Sequence, residues 1–212
     1  MEPQVTEAGR LALSAGEFAM FGYGSLLWKR SMELTLGKPY LGPRPACTIR
    51  GWRRTWDVMM PNRSFYTEAG GTEITPDNIV YLNVSRSPET LLNGVLYVIT
   101  AEQMAQFDSR EWIYDRITVT KDLVDLTVEG GDVALYVGKN EYRVPLGSTF
   151  REAAIRQSYI EIVNNGLKDL GDDFAAKYSA STDTPPPELI VCDHKRDGNP
   201  ILASSSSELL GR

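Results

Sequence analysis

Hydrophobic and polar positions along this chain predict short strands interleaved with a few helices. Residues 18–23 are a compact apolar run that reads as a strand, and 26–36 read as a short helix stopped by Gly37 and Pro39. Residues 47–60 are the next extended run. Residues 62–76 contain Gly70-Gly71 and end in Thr75-Pro76-Asp77-Asn78, so turn chemistry without a clear period predicts a long loop. Loops of that length serve as functional covers more often than as connectors. Residues 79–84 and 94–99 are rich in β-branched and aromatic side chains and predict two further strands.

Helical signals follow. Thr100 and Gln103 have capping-box spacing, with Met104 and Phe107 at helical intervals and Asp108-Ser109-Arg110-Glu111 in the last turn. Residues 114–120 and 133–137 read as a pair of strands around Glu129-Gly130-Gly131-Asp132, a turn signal of the hairpin type. Thr149 and Glu152 form a second capping box, predicting a helix whose apolar face is Phe150, Ala154, Ile155, Tyr159, Ile162, Val163 and Leu167, with Asn165-Gly166 ending or kinking it. Pro185, Pro186 and Pro187 cannot continue a helix, and the last ~25 residues read as a mobile or surface-lying extension. The pattern is α+β, without an internal repeat.

Composition narrows the function. At 212 residues with 42% hydrophobic content, the chain can bury a substantial core as one domain. A net charge of -6 disfavours a nucleic-acid partner. The local exception is Arg50-Gly-Trp-Arg-Arg-Thr-Trp56, which reads either as a long strand with stacked arginines and indoles or as a place for a small anion. Cys47 and Cys192 alone support neither a disulfide framework nor a cysteine-based metal site, and they fit a reducing compartment. The first residues start acidic and lack a signal-peptide pattern, and no stretch approaches the ~20 apolar residues of a membrane span, so a soluble, cytoplasmic protein is expected.

Two readings fit residues 21–29, FGYGSLLWK: a tight strand-to-helix turn, or a corner whose backbone binds an anion. Gly22 and Gly24 are free to take positive φ and leave room for close approach, and the N–H groups of Gly24, Ser25 and Leu26 can converge on a carboxylate as a nest. The sole histidine, His194, lies in the C-terminal tail, so a Ser-His-acid triad would need that tail folded over the site. One histidine and two distant cysteines leave a metal poorly supplied, and no Walker or dinucleotide fingerprint is present. What remains is acid/base work by a carboxylate. Glu111, between Arg110 and Trp112, is either a surface carboxylate paired with Arg110 or Arg116, or a base whose pKa is raised by desolvation beside Trp112 and Tyr114.

Phe-Gly-Tyr-Gly-Ser-Leu-Leu-Trp at 21–28, Asn-Gly-Val-Leu-Tyr at 93–97 and Phe-Asp-Ser-Arg-Glu at 107–111 together resemble the gamma-glutamylcyclotransferase superfamily, the opening motif being most like its glutathione-degrading ChaC branch. The resemblance covers residues 18–180, leaving extensions at 1–17 and 181–212. It implies a small mixed β-barrel flanked by helices, and a cofactor-free, metal-free reaction. In that reaction the α-amine of a γ-glutamyl group closes on its own side-chain carbonyl, releasing 5-oxoproline and a free amine. By position, the resemblance makes Glu111 the catalytic glutamate and Tyr23, Gly24, Ser25 and Leu26 the loop that holds the glutamyl moiety. Tyr159 falls in a helix resembling the one that supplies a substrate-side tyrosine, the alternative being a core aromatic on an apolar face. Tyr114 departs from the family in its Trp-Ile-Tyr spacing, and the segment after Arg44 lacks the Arg-Gly-Thr and Pro-Gly run of the glutathione-specific branch.

The physics is compatible with such a reaction: in an intramolecular closure, orientation alone supplies effective molarities of ~10⁵ M or more. The implied partner is a small γ-glutamyl molecule, with neither nucleic acid nor membrane, and the oligomeric state is open. The alternative is a non-catalytic module of the same fold that uses residues 23–26 as a receptor for a small anion or a protein. A carboxylate at 111 favours the enzyme, because a receptor for anions gains nothing from a buried negative charge.

Overall fold

The structure, a computed structural model, describes residues 9–144 and 153–195. Strands β1 (Arg10–Ala12) and β2 (Glu17–Gly22) lead into a 3-10 turn at Ser25–Leu27 and helix α1 (Lys29–Leu36), which Gly37 ends in the left-handed region at φ 65°. The single helix expected over 26–36 is broken at Trp28, whose backbone is extended (φ -89°, ψ 117°). The cause is local: the N–H groups of Leu27 and Trp28 fold back onto the carbonyls of Gly24 and Ser25 and close a tight turn instead.

Strand β3 (Ala46–Pro61) pairs antiparallel with β6 (Asn78–Thr100), with register shifts between Arg50 and Trp52 and between Thr55 and Val58 that bend the ladder. The strands expected at 79–84 and 94–99 are therefore one strand of 23 residues, because the polar stretch between them also pairs with β3, as in Arg86 opposite Trp52. Residues 50–56 lie in β3, and Trp52 is stacked at 3.9 Å by Arg86 of β6 rather than by an arginine of its own strand. Residues 62–76, expected as a loop, hold the hairpin β4 (Phe65–Ala69) and β5 (Thr72–Ile74), turned at Gly70 and Gly71 with φ of 60° and 77°.

Helix α2 (Ala101–Arg110) starts at the expected capping box: Thr100 Oγ1 accepts the Gln103 N–H at 3.3 Å and Gln103 Oε1 accepts the Thr100 N–H at 2.9 Å. Strands β7 (Tyr114–Thr118) and β9 (Val133–Gly138) pair antiparallel, as expected, but the turn at 129–132 does not join them. Strand β8 (Thr127–Glu129) intervenes and pairs in parallel with β1. The helix expected from 149 is corrected in its first half: Ala154 and Ile155 lie in β10 (Ala153–Arg156), and α3 (Gln157–Leu170) begins after it. Both neighbours of β10 in the sheet, β6 and β11 (Ile190–Val191), pair with it in parallel, and all four of its side chains are buried, so tertiary pairing overrides the helical period. Thr149, Phe150 and Glu152 lie outside the described residues.

Asn165-Gly166 does not end α3, which runs on to Leu170 and stops at Gly171 before α4 (Asp172–Ala180). Part of the expected C-terminal extension is sheet: beyond β11, β12 (Asp193–Lys195) pairs antiparallel with β4. The fold is thus α+β. A mixed sheet in the order β11-β10-β6-β2-β9-β7, with β3 on β6, is flanked by helices, α3 resting on the Ser25–Leu27 turn. Among the described residues no helix is long and apolar enough to cross a membrane.

Candidate active site

Strand β2 delivers the chain to a corner at residues 23–26. Neither Gly22 nor Gly24 takes the positive φ considered for them; Gly24 sits at φ -118°. What these glycines supply is space. A Cβ on Gly22 would stand 2.9 Å from Leu26 Cβ, and one on Gly24 would stand 3.0 Å from the Tyr159 hydroxyl. The Leu27 and Trp28 N–H groups close the 3-10 turn, while those of Gly24, Ser25 and Leu26 donate to no backbone carbonyl among the described residues.

The corner is held from beneath by Arg54 of β3, which is fully buried. Its guanidinium donates to the Tyr23 carbonyl at 2.7 Å, to the Asn93 carbonyl and to Ser181 Oγ at 2.9 Å, and it lies 4.2 Å from the centre of the Tyr178 ring. Burial lowers its pKa to about 10, which still leaves it cationic at neutral pH. Tyr97 O–H donates to the Leu26 carbonyl at 2.8 Å and Arg44 to the Leu27 carbonyl. With the turn bonds to the Gly24 and Ser25 carbonyls, each carbonyl from Tyr23 to Leu27 accepts a hydrogen bond.

Glu111 closes α2 as its C-cap, its N–H donating to the Phe107 carbonyl at 2.8 Å. Its side chain is only 16% exposed and pairs with Arg110 at 3.1 Å. Both halves of the earlier alternative hold in part: the partner is Arg110, but the pair is buried. Arg116 pairs instead with Asp108 at 3.4 Å. Burial raises the Glu111 pKa above the usual carboxylate value, and the Arg110 charge opposes the rise. Trp112 is not among the residues that line the recess; its ring packs edge-on against Tyr142 at 5.1 Å.

Arg110 joins the corner to the base. Beyond its pairing with Glu111, it donates to Ser25 Oγ at 2.8 Å, to Thr35 Oγ1 at 2.7 Å and to the Ser31 carbonyl at 3.4 Å. One guanidinium therefore fixes Glu111, the corner and α1 in a single register.

Tyr23, Gly24, Ser25, Leu26, Glu111 and Tyr159 all line one recess of about 700 Å³, its open mouth included. The rest of its wall is mostly aromatic and aliphatic, with Tyr81, Tyr114 and Tyr136 prominent. Tyr159 stands edge-on to Tyr81 at 4.9 Å and to Trp56 at 6.0 Å, so it packs as a core aromatic while also facing the recess. The Tyr23 hydroxyl donates to the Tyr136 carbonyl and the Tyr114 hydroxyl to the Leu82 carbonyl, both at 2.9 Å. Burial pushes the pKa of Tyr23, Tyr114, Tyr136 and Tyr159 up, and the nearby Glu111 charge adds to the rise. These phenols stay protonated and neutral around the carboxylate.

His194 lies in β12, its ring 5.3 Å from that of Tyr66, and does not line the recess. Among the described residues no three His, Cys, Asp or Glu side chains are grouped to hold a metal ion. The residue that the motifs do not reveal is Arg54, which touches the corner through the Tyr23 carbonyl and is itself bonded to Asn93, the first residue of the 93–97 motif. Arg54 was visible only as part of a basic, aromatic strand.

No protein-family model matches the sequence, and no curated protein sequence does. Solved structures do match in shape. An uncharacterized protein from Homo sapiens aligns with a TM-score of 0.50 at 18% identity, over 92% of this chain and 96% of that one. A gamma-glutamyl cyclotransferase aligns with a TM-score of 0.50 at 17% identity, over 91% of this chain and 95% of that one. YkqA from Bacillus subtilis aligns with a TM-score of 0.54 at 15% identity over 77% of this chain, which spans about half, 53%, of that longer protein. With its sheet, flanking helices and recess in hand, the chain has the gamma-glutamyl cyclotransferase fold.

Proposed function

We propose that the protein is a γ-glutamylcyclotransferase-like enzyme that converts a γ-glutamyl peptide or amine to 5-oxoproline and the free amine. The observation that supports it is the joining of Glu111 to the 23–26 corner through Arg110 in one recess. An anionic receptor would have no use for a buried carboxylate there. The fold shared with a gamma-glutamyl cyclotransferase adds support.

In the proposed reaction the corner N–H groups and Ser25 hold the glutamyl end so that its α-amine faces the γ-carbonyl. Glu111 takes a proton from the amine as nitrogen bonds to the carbonyl carbon. The oxyanion of the tetrahedral intermediate is held by N–H and O–H donors of the recess. The bond from that carbon to the leaving nitrogen then breaks as Glu111 returns the proton to it, so the five-membered lactam and the amine leave with all atoms accounted for. Orientation supplies much of the rate, and a proton shuttle typically adds ~10²–10⁴-fold. A carboxylate of ordinary pKa would be a weak base for this step, and burial strengthens it.

The test is 5-oxoproline release from γ-glutamyl amino acids, γ-glutamyl amines and glutathione, with Glu111→Gln beside the wild type. Release from at least one class, lost in Glu111→Gln by ~10²-fold or more, is expected. Equal release by Glu111→Gln removes Glu111 as the base, and no release from any compound moves the protein to a binding role.

A further inference from the structure

Helix α3 begins without a cap of its own. Arg156, its N-cap residue, makes no side-chain hydrogen bond to the helix, and the first N–H groups of a helix have no partner within it. The partner comes from 35 residues downstream. Asp193 Oδ1 accepts the Ser158 N–H at 2.9 Å, and Asp193 Oδ2 accepts the Ser158 hydroxyl at 2.7 Å. Ser158 and Asp193 are each only 7% exposed, so water does not compete for these bonds.

Both ends of the tie are anchored in sheet. Ile155 and Arg156 pair with Ile190 and Val191, and Asp193 pairs with Thr67 of β4. The other charged group of this turn does not share the task. Arg156 is 2% exposed and stacks 3.9 Å from the Phe65 ring centre, but its Nε and Nη1 make no hydrogen bond among the described residues. The polar link from the first turn of α3 to the C-terminal strands therefore runs through Asp193.

Tyr159 directly follows Ser158. A Cβ on Gly24 would stand 3.0 Å from the Tyr159 hydroxyl, and the Tyr159 ring packs edge-on against Tyr81 and Trp56. A tilt of the first turn of α3 would be magnified at the end of that ring.

We propose that Asp193 is a positioning residue: by capping α3 from the C-terminal strand it holds Tyr159 against the 23–26 corner. The kinetic consequence rests on the functional reading above, whereas the placement of Tyr159 does not. Asp193→Asn keeps the acceptor for the Ser158 N–H and can donate to the Ser158 hydroxyl, so geometry is preserved without charge. Asp193→Ala removes both bonds.

The experiment places 3-fluorotyrosine at position 159 alone and records its fluorine resonance in wild type, Asp193→Ala and Asp193→Asn, with turnover measured on the unlabelled proteins. The resonance should shift and broaden in Asp193→Ala and return in Asp193→Asn. KM should rise about tenfold in Asp193→Ala with kcat within about twofold, and Asp193→Asn should restore it. An unmoved resonance in folded Asp193→Ala overturns the proposal, as does failure of Asp193→Asn to restore it. Where Asp193→Ala does not fold, Ser158→Ala removes only the hydroxyl bond and should shift the resonance in part; no shift there also overturns the proposal. If wild type turns over no γ-glutamyl compound, the functional reading fails and the fluorine signal still decides the role of Asp193.

Discussion

Gly166 lies inside α3, where alanine would ordinarily stabilise by about 1 kcal/mol. Here the opposite is expected. A Cβ at this position would stand 2.6 Å from the Leu27 carbonyl carbon and the Trp28 nitrogen, and 2.8 Å from Leu27 Cβ. Two of those atoms are backbone of the turn that closes the 23–26 corner, so no rotamer change relieves the contact. Receding from 2.6 Å to an ordinary 3.4 Å requires α3 and the turn to separate by about 0.8 Å. Overpacking of that order costs about 1–3 kcal/mol, and the propensity gain leaves a net loss between near zero and ~2 kcal/mol. For 212 residues each kcal/mol lowers Tm by ~2–4 °C. Catalysis should suffer more, because α3 carries Tyr159 while the turn carries the backbone donors, and a misplacement of ~1 Å costs on the order of 10²-fold. Thermal unfolding and 5-oxoproline release are measured together on Gly166→Ala. A Tm raised by several degrees with unchanged turnover would refute the claim that α3 presses on the corner.

Other predictions follow from the charges. Arg110→Gln removes the group that opposes the rise in the Glu111 pKa, so the acid limb of kcat/KM against pH should move to higher pH; an unmoved limb would mean that Arg110 does not act on the base. Because the folded-state pKa of Glu111 is raised, its favourable contribution is complete below the unfolded value of about 4.3 and is lost as pH rises through the folded value. Glu111→Gln should therefore be more stable than wild type at neutral pH, with the gain vanishing in acid, as thermal scans across pH would read. Arg54→Met leaves the carbonyls of Tyr23 and Asn93 without the Arg54 donors and should cost about 2–6 kcal/mol in urea unfolding, ~1–3 kcal/mol for each; a loss below ~1 kcal/mol would show that Arg54 is dispensable to the corner.

The elements legible in the sequence were those whose signals are local. Strand β2, helix α2 with its capping box and the Gly37 stop each follow from neighbouring residues alone. Errors arose where a partner far along the chain decided the conformation. Ala154 and Ile155 fit a helical face but are claimed by β6 and β11, and the arms of the β4–β5 hairpin, five and three residues, are too short to show a period. Residues 190–191 and 193–195, which follow a proline run within the expected surface-lying extension, become strands because β10 and β4 offer edges to them.

The same division explains the recess. Glu111 and the 23–26 corner carry recognisable patterns because chemistry constrains neighbours in sequence, whereas Arg54 and Asp193 act on partners 31 and 35 residues away and leave no pattern. Their absence from any motif does not make them secondary, since the site depends on a balance that no motif expresses. The recess is walled by tyrosines that burial keeps neutral, and burial also raises the pKa of Glu111, which on the proposed reading makes it a stronger base than an exposed carboxylate. Burial acting alone would raise that pKa further. Arg110 opposes the rise: paired at 3.1 Å, it favours the anion that burial disfavours, and in the proposed reaction its bond to Ser25 ties this balance to the loop that would hold the substrate.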